Sequence, residues 1–466
     1  MNSVLPLLAL PLIAAVLTAG LRRSATLSAL IAAGLPLIGA LWALTHDLSA
    51  PLTLLGRELI LTTGDRFAVA YLLVCAAATF MGIWRTSPHW SYYPVTLLSL
   101  TAVVMAIGAR PVEVAVIGGR PFDPFHYSVI FLTIACILAI FPLQGGQPGV
   151  ANGTVRFMAL MIIACPAFLT AAWVLDQFTQ SPDTLRAGVA QTAGVLILFG
   201  LAVWLGVAPF HTWLPGIASE APPLSSAFVL GVINVAVWFL LLDMFHEIKL
   251  LRDNSALLEA LRIGGLITAL AGGGLALAQR DFGRLMGYAV LSDIGVTLVA
   301  YSAGTAAGLS AALVVVFMRT FGLGLMSMGL ALARGRLPDD SFESLTGLAW
   351  RMPWAAIVLI IGGVSLAGLP PFAGFTGRWA ALQQAAYTDL PTALALLVST
   401  IGVAAGTLRG LQYVLKQQDH VADAPDRMSP LTIGLLVGAL ALTLLFGLFP
   451  DLIAPAIRQM VAAYTG

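Results

Sequence analysis

The sequence predicts an all-α polytopic membrane protein of about 14 transmembrane helices, with two inverted five-helix repeats and two broken helices. Of its 466 residues, 59% are hydrophobic and 10% charged, where a soluble domain carries about 25% charged residues. The mean hydropathy of +0.93 leaves too little polar surface to cover a water-soluble globule. Apolar runs long enough to cross a bilayer recur along the whole chain, and in hydrocarbon a helix satisfies its own backbone. A Gly-x-x-Pro-Phe motif occurs twice, in runs that lie five apart.

In chain order the spans are expected at 3 to 20, 25 to 45, 66 to 84, 91 to 108, 127 to 144, 155 to 175, 187 to 208, 223 to 244, 262 to 278, 285 to 303, 307 to 333, 353 to 375, 388 to 415 and 431 to 449. No charged segment or small-residue cleavage pattern accompanies the first run, which reads as a retained helix rather than a signal peptide. A short apolar tail, Leu452 to Tyr464, follows the last span. His46 to Arg66, Arg334 to Arg351 and Lys416 to Ser429 are polar linkers with room for surface helices, and no soluble domain is expected. The organisation is N-terminal helices in 1-90, a first repeat in 91-245, a second in 260-415, and a last helix with its tail in 416-466.

Trp84, Trp90, Tyr92, Tyr93, Trp350 and Trp354 fall at span ends, as interfacial aromatic belts do. Ala271 to Gly274 and Gly362-Gly363 read as sites of close helix packing, without the strand or basic residue that a phosphate loop would bring. Lys and Arg are in modest excess in the loops after odd-numbered spans, among them Arg22, Arg23, Arg280 and Arg284. That bias predicts both termini outside, and a bacterial inner membrane is the expected location.

A balance of 23 Lys+Arg against 22 Asp+Glu excludes the basic field that nucleic-acid binding requires. Cys75, Cys136 and Cys165 stand singly in apolar runs, so neither a thiolate metal site nor a disulfide framework is indicated. The six histidines are scattered, and no catalytic or metal-ligating arrangement is visible, so no redox chemistry or cofactor is expected on this chain.

Leu205 to Phe210 at the end of the seventh span and Ala367 to Phe372 at the end of the twelfth share the Gly-x-x-Pro-Phe pattern, as Gly206 with Pro209 and Gly368 with Pro370 and Pro371. Five helices per unit is an odd number, so the second unit must be inverted in the membrane. Proline removes a backbone donor and clashes with the preceding turn, so each motif should break its helix within the bilayer. Freed amides and carbonyls are tolerated there where they line a polar cavity, which marks each break as a candidate ion site.

Gly206-Val-Ala-Pro-Phe-His-Thr-Trp-Leu-Pro215 and the following Ser219-Glu-Ala-Pro-Pro-Leu-Ser-Ser-Ala227 resemble the signature of the antiporter-like membrane subunits of respiratory complex I, Mrp-type antiporters and membrane-bound hydrogenases. Gln279 to Tyr288, leading into Leu291-Ser-Asp-Ile-Gly295, is similar to the start of that family's tenth helix, and Gly368 to Arg378 to its twelfth-helix break. The resemblance implies a midplane proton path built from a fifth-helix glutamate, lysines at the seventh-helix break and on the eighth helix, and a lysine or glutamate at the twelfth-helix break. Such a relay needs groups whose pKa burial or a neighbouring charge can bring near neutrality.

This sequence departs from that pattern. Trp204 stands where the resemblance places the seventh-helix lysine, and Asn234 where it places the eighth-helix lysine. The fifth span holds no acid, the nearest being Glu113 and Asp123 on its approach, and the two lysines of the chain, Lys249 and Lys416, fall in loops. Around the eleventh span, Met318 and Gly322 replace the family's frequent His and Lys, with Arg319 beside them, and Arg378 occupies the twelfth break. Arginine stays protonated, so it fixes an anion or biases a neighbour without carrying a proton.

The exchangeable groups left are His211, Glu220 and Asp293. His211 either exchanges protons or caps the first break, and Glu220 either serves an ion path or anchors a loop at a helix N-terminus. Asp293, inside the tenth span, is expected to pair with Arg319 or Arg378, as a charge-pair switch or a static pair. Asp281 and Arg284 read as a structural loop-to-helix motif. The expected function is an antiporter-like subunit, among other membrane subunits, of a proton- or Na+-translocating complex I-like NADH:quinone oxidoreductase with a lysine-depleted path. The alternatives are a non-pumping structural subunit, a subunit of an Mrp-type antiporter, membrane-bound hydrogenase or inorganic-carbon uptake complex, or a self-contained secondary transporter.

Overall fold

A computed structural model describes residues 3–54, 57–83, 91–108, 116–117, 120–121, 125–145, 152–178, 186–252, 254–417 and 428–465. Trp84, Trp90, Glu113 and Asp123 lie outside the described residues.

The chain runs α1 (Leu5–Gly20), α2 (Ala25–Thr45), a ribbon of β1 (Leu52–Leu54) and β2 (Arg57–Leu59), α3 (Thr63–Ile83) and α4 (Tyr92–Gly108). A second ribbon, β3 (Val116–Ile117) with β4 (Arg120–Pro121), leads to α5 (Phe125–Gln144), α6 (Asn152–Phe178) and α7 (Arg186–Leu205). After the first break come a 3-10 turn (Phe210–Thr212), α8 (Trp213–Glu220), α9 (Pro223–Phe228), a π turn (Val229–Ile233), α10 (Asn234–Glu247) and α11 (Lys249–Arg252). The rest is α12 (Ser255–Ala278), α13 (Phe282–Ser302), α14 (Ala306–Arg334), α15 (Leu348–Arg351), α16 (Pro353–Leu366), α17 (Ala373–Thr388), α18 (Leu390–Leu415), α19 (Pro430–Leu448) and α20 (Ala454–Thr465).

Among the described residues, 11 helical segments are long and apolar enough to cross a membrane, and α1, α4 and α16 are shorter apolar helices. The span through α9 and α10 is 94% buried and α19 only 17%, so the core follows α10, α13 and α14 while α19 lies at the edge. Peripheral helices turn large apolar side chains outward, such as Val16, Trp173 and Leu394, as lipid solvation requires.

Three features differ from the sequence reading. The linker after α2 forms a two-stranded ribbon with Leu52 opposite Leu59, and the Ile60 amide ties it to Gly108 at the end of α4. Tyr92 and Tyr93 are not interfacial but buried, packed edge-on against Phe80, because α3 covers the start of α4. The apolar tail is helix α20, which buries Ile457, Met460 and Tyr464 and hydrogen-bonds through Tyr464 Oη to Asp65. Trp350, by contrast, stays exposed at a helix end, as an interfacial residue would.

The glycine cluster of α12 acts as read. A Cβ on Gly272 would sit 2.7 Å from the Ser292 Cα of α13, and one on Gly273 would sit 2.6 Å from the Ser399 Cα of α18. Three backbones therefore converge, and Ser292 and Ser399 meet between them at 2.8 Å.

Candidate functional site

Both proline motifs end a helix in the same way. At the first, Val207 N–H bonds to Ala202 C=O at 2.8 Å and Gly206 N–H to Val203 C=O at 3.3 Å. At the second, Leu369 N–H bonds to Val364 C=O at 3.1 Å and Gly368 N–H to Ser365 C=O at 2.9 Å. These are paired Schellman closures, and each needs a residue with positive φ, met by Gly206 at 77° and Gly368 at 74°. A cis proline bond follows each glycine, at Ala208-Pro209 and Pro370-Pro371. Helix resumes as α8 and α17, so Pro209, Pro370 and Pro371 interrupt the chain rather than kink it. The twelfth span was expected to end near residue 375, yet helix resumes after the break and α17 continues to Thr388.

Side chains satisfy the opened backbone. Thr268 Oγ1 accepts from Ala208 N–H at 3.0 Å, and Ser365 Oγ accepts from Gly374 N–H at 3.2 Å. Asn234, buried where the π turn passes into α10, donates through Nδ2 to the Leu205 carbonyl at 3.2 Å. Its Oδ1 accepts from Arg319 Nη2 at 3.2 Å. An ammonium group could donate to Leu205 but has no acceptor to offer Arg319.

Arg319 sits in the middle of α14, and with Arg378 it forms the charged surroundings of Asp293 in the middle of α13. Arg378 Nη2 lies 2.7 Å from Asp293 Oδ1, an ion pair off the hydrogen-bonding direction. Arg378 Nη1 donates to Ser292 Oγ and Thr400 Oγ1, each at 3.2 Å. Ser292 is the residue fixed by the glycine crossing, so small residues on α12 position the support of Arg378. Asn234, Asp293, Arg319 and Arg378 are each no more than 3% exposed.

Trp204 is buried too, donating through Nε1 to the Met161 carbonyl of α6 at 3.0 Å and packing on Phe168 at 4.7 Å. It is a structural clamp between α6 and α7. His211 and Glu220 stand outside the central group. The His211 ring is 6.4 Å from that of Tyr288, and its Nδ1 is buried without a hydrogen-bond partner. Glu220 accepts from Gly153 N–H at 2.7 Å and so caps the first turn of α6. Asp281 caps α13 by accepting from the Arg284 amide at 2.8 Å.

A further ion pair escaped the sequence reading. Arg334 Nε donates to Asp340 at 2.7 Å, and its Nη1 and Nη2 donate to the carbonyls of Ala221 and Ser219. It pins the Ser219-Glu-Ala-Pro-Pro turn to the end of α14. Burial pushes the Asp340 carboxyl above its ordinary range, and Arg334 opposes that shift. A basic residue at a helix C-terminus followed by an acidic pair was the available signal.

The chain matches the NADH:quinone oxidoreductase/Mrp antiporter transmembrane family over residues 151–403. It is 32% identical to NADH-quinone oxidoreductase subunit N 1 of Acidiphilium cryptum strain JF-5 over 376 residues, 77% of this chain and 75% of that one. A subunit of the archaeal membrane-bound sulfane sulfur reductase superposes with a TM-score of 0.86 at 20% identity, covering 100% of this chain and 98% of that one. A subunit of respiratory complex I from Thermus thermophilus with bound NADH superposes with a TM-score of 0.80 at 20% identity, covering 100% and 99%. This integral, multi-pass membrane chain belongs to the NADH:quinone oxidoreductase/Mrp antiporter family.

Proposed function

We propose that the chain is an antiporter-like subunit of a complex I-like NADH:quinone oxidoreductase in a bacterial inner membrane, with both termini outside. Residues 91-245 and 260-415 are its two inverted units, and its partners are other membrane subunits. The observation that carries this reading is the polar string between two matched helix breaks: Leu205 carbonyl to Asn234, Asn234 to Arg319, and Arg319 beside the Asp293–Arg378 pair. Redox centres belong to other chains, and this subunit responds electrostatically to their turnover.

In this reading the translocated ion is the proton. Asp293 is the exchangeable group of the string, and Arg319 and Arg378 set its charge state without carrying protons themselves. His211 and Glu220 connect to it through water at most. A non-pumping structural subunit is the second reading, favoured by the neutral bridge at Asn234 and the clamp at Trp204.

The assignment is tested by purifying the tagged chain from its native membrane and identifying its partners by mass spectrometry. Co-purifying iron–sulfur and quinone-site subunits are expected. A set made only of cation/proton antiporter subunits, only of hydrogenase subunits, or no partner at all would overturn it.

A further inference from the structure

Asp293, Arg319 and Arg378 are the charged side chains buried at mid-span among the described residues, so two permanent cations face one carboxylate. The carboxylate is already engaged by Arg378. Arg319 makes one hydrogen bond among the described residues, to the neutral Asn234, although a guanidinium has five N–H donors. Its Nε is buried without an acceptor, and so is Nε of Arg378, whose Nη2 faces Asp293 Oδ1. Arg319 is 3% exposed and Arg378 2%, so an acidic side chain of a partner subunit has no access to either. A positive charge in hydrocarbon without a counter-charge is costly, and a cluster that keeps surplus charge and surplus donors together calls for an anion.

We propose that this cluster binds one small monovalent anion of the halide class, held by the guanidinium N–H groups that Asn234 and Asp293 leave unpartnered. The surplus of one positive charge sets the valence, and the adjacent Asp293 carboxylate repels any dianion. The site is independent of which complex the chain joins.

The test uses the full chain in lipid nanodiscs, titrated with sodium chloride or sodium bromide against sodium gluconate at constant ionic strength. The readouts are binding of radiolabelled chloride and the thermal midpoint from tryptophan fluorescence. Chloride and bromide are expected to bind saturably, about one per chain, and to raise the midpoint as a native-state ligand does, while gluconate does neither. Asp293→Asn removes the competing carboxylate and should lower half-saturating chloride about tenfold or more. Arg319→Gln should abolish saturable binding, and if that variant does not fold, the wild type and Asp293→Asn still decide. A wild type that binds no chloride and melts alike in chloride and gluconate would overturn the proposal, as would weaker binding by Asp293→Asn.

Discussion

Arg319 on α14 donates to Asn234 on α10, and the same Asn234 amide donates to the Leu205 carbonyl freed at the end of α7. A guanidinium is thus tied to a helix break through one neutral side chain that gives and accepts at once. A lysine cannot do both, which gives the departure at this position a physical reason.

Substituting Asn234 tests that reason. Asn234→Leu leaves the Leu205 carbonyl and one more Arg319 donor unsatisfied, at about 1–3 kcal/mol for each buried group. Asn234→Lys restores the residue the family resemblance implies but sets a second cation against Arg319. It is expected to be the more destabilising of the two, read as a larger drop in thermal midpoint in nanodiscs.

The Schellman glycines are conformational requirements. Gly206→Ala and Gly368→Ala should each cost about 1–2 kcal/mol from the positive φ alone. At Gly206 the new methyl also meets Leu214 Cδ1 and at Gly368 the Arg378 stem, so the second variant should disturb the Asp293 pair as well. Denaturant unfolding of the two single variants measures the losses, and a variant as stable as the wild type would contradict the requirement.

Arg334→Met removes the partner of a buried carboxylate and releases the Ala221 and Ser219 carbonyls. A loss of about 3–5 kcal/mol is expected. Asp340 is protonated more readily in the folded chain than in the unfolded one, because burial raises its carboxyl. Its contribution therefore falls as pH rises above the ordinary carboxylate range, and more steeply without Arg334. Melting curves from acid to neutral pH should show the variant's deficit widening upward.

Glu220→Gln weakens the cap on Gly153 by about 0.5–1 kcal/mol and should leave ion translocation unchanged. A large transport defect with normal assembly would return Glu220 to the ion path.

The breaks were legible because proline and glycine act locally. Gly206 and Gly368 had to end helices wherever the chain went, and Asp293 inside an apolar span had to find a cation. Asn234 was legible as a substitution but not as a bridge, because its two partners come from α7 and α14, remote in sequence. The helix after the second break was missed because polar residues such as Gln383 and Gln384 end the apolar run, and only the packing of α17 against α14 and α18 buries its other face. Tyr92 and Tyr93 look interfacial in the same way, since a span end becomes buried only when a neighbouring helix overhangs it.

The most direct measurement is the proton-to-electron ratio of the assembled complex in proteoliposomes, wild type against Asp293→Asn, with subunit content and electron-transfer rate checked in both. If Asp293 exchanges protons between the two breaks, the variant assembles normally, transfers electrons and translocates fewer protons per electron. An unchanged ratio in a normally assembled variant would contradict the account and leave the chain a structural subunit.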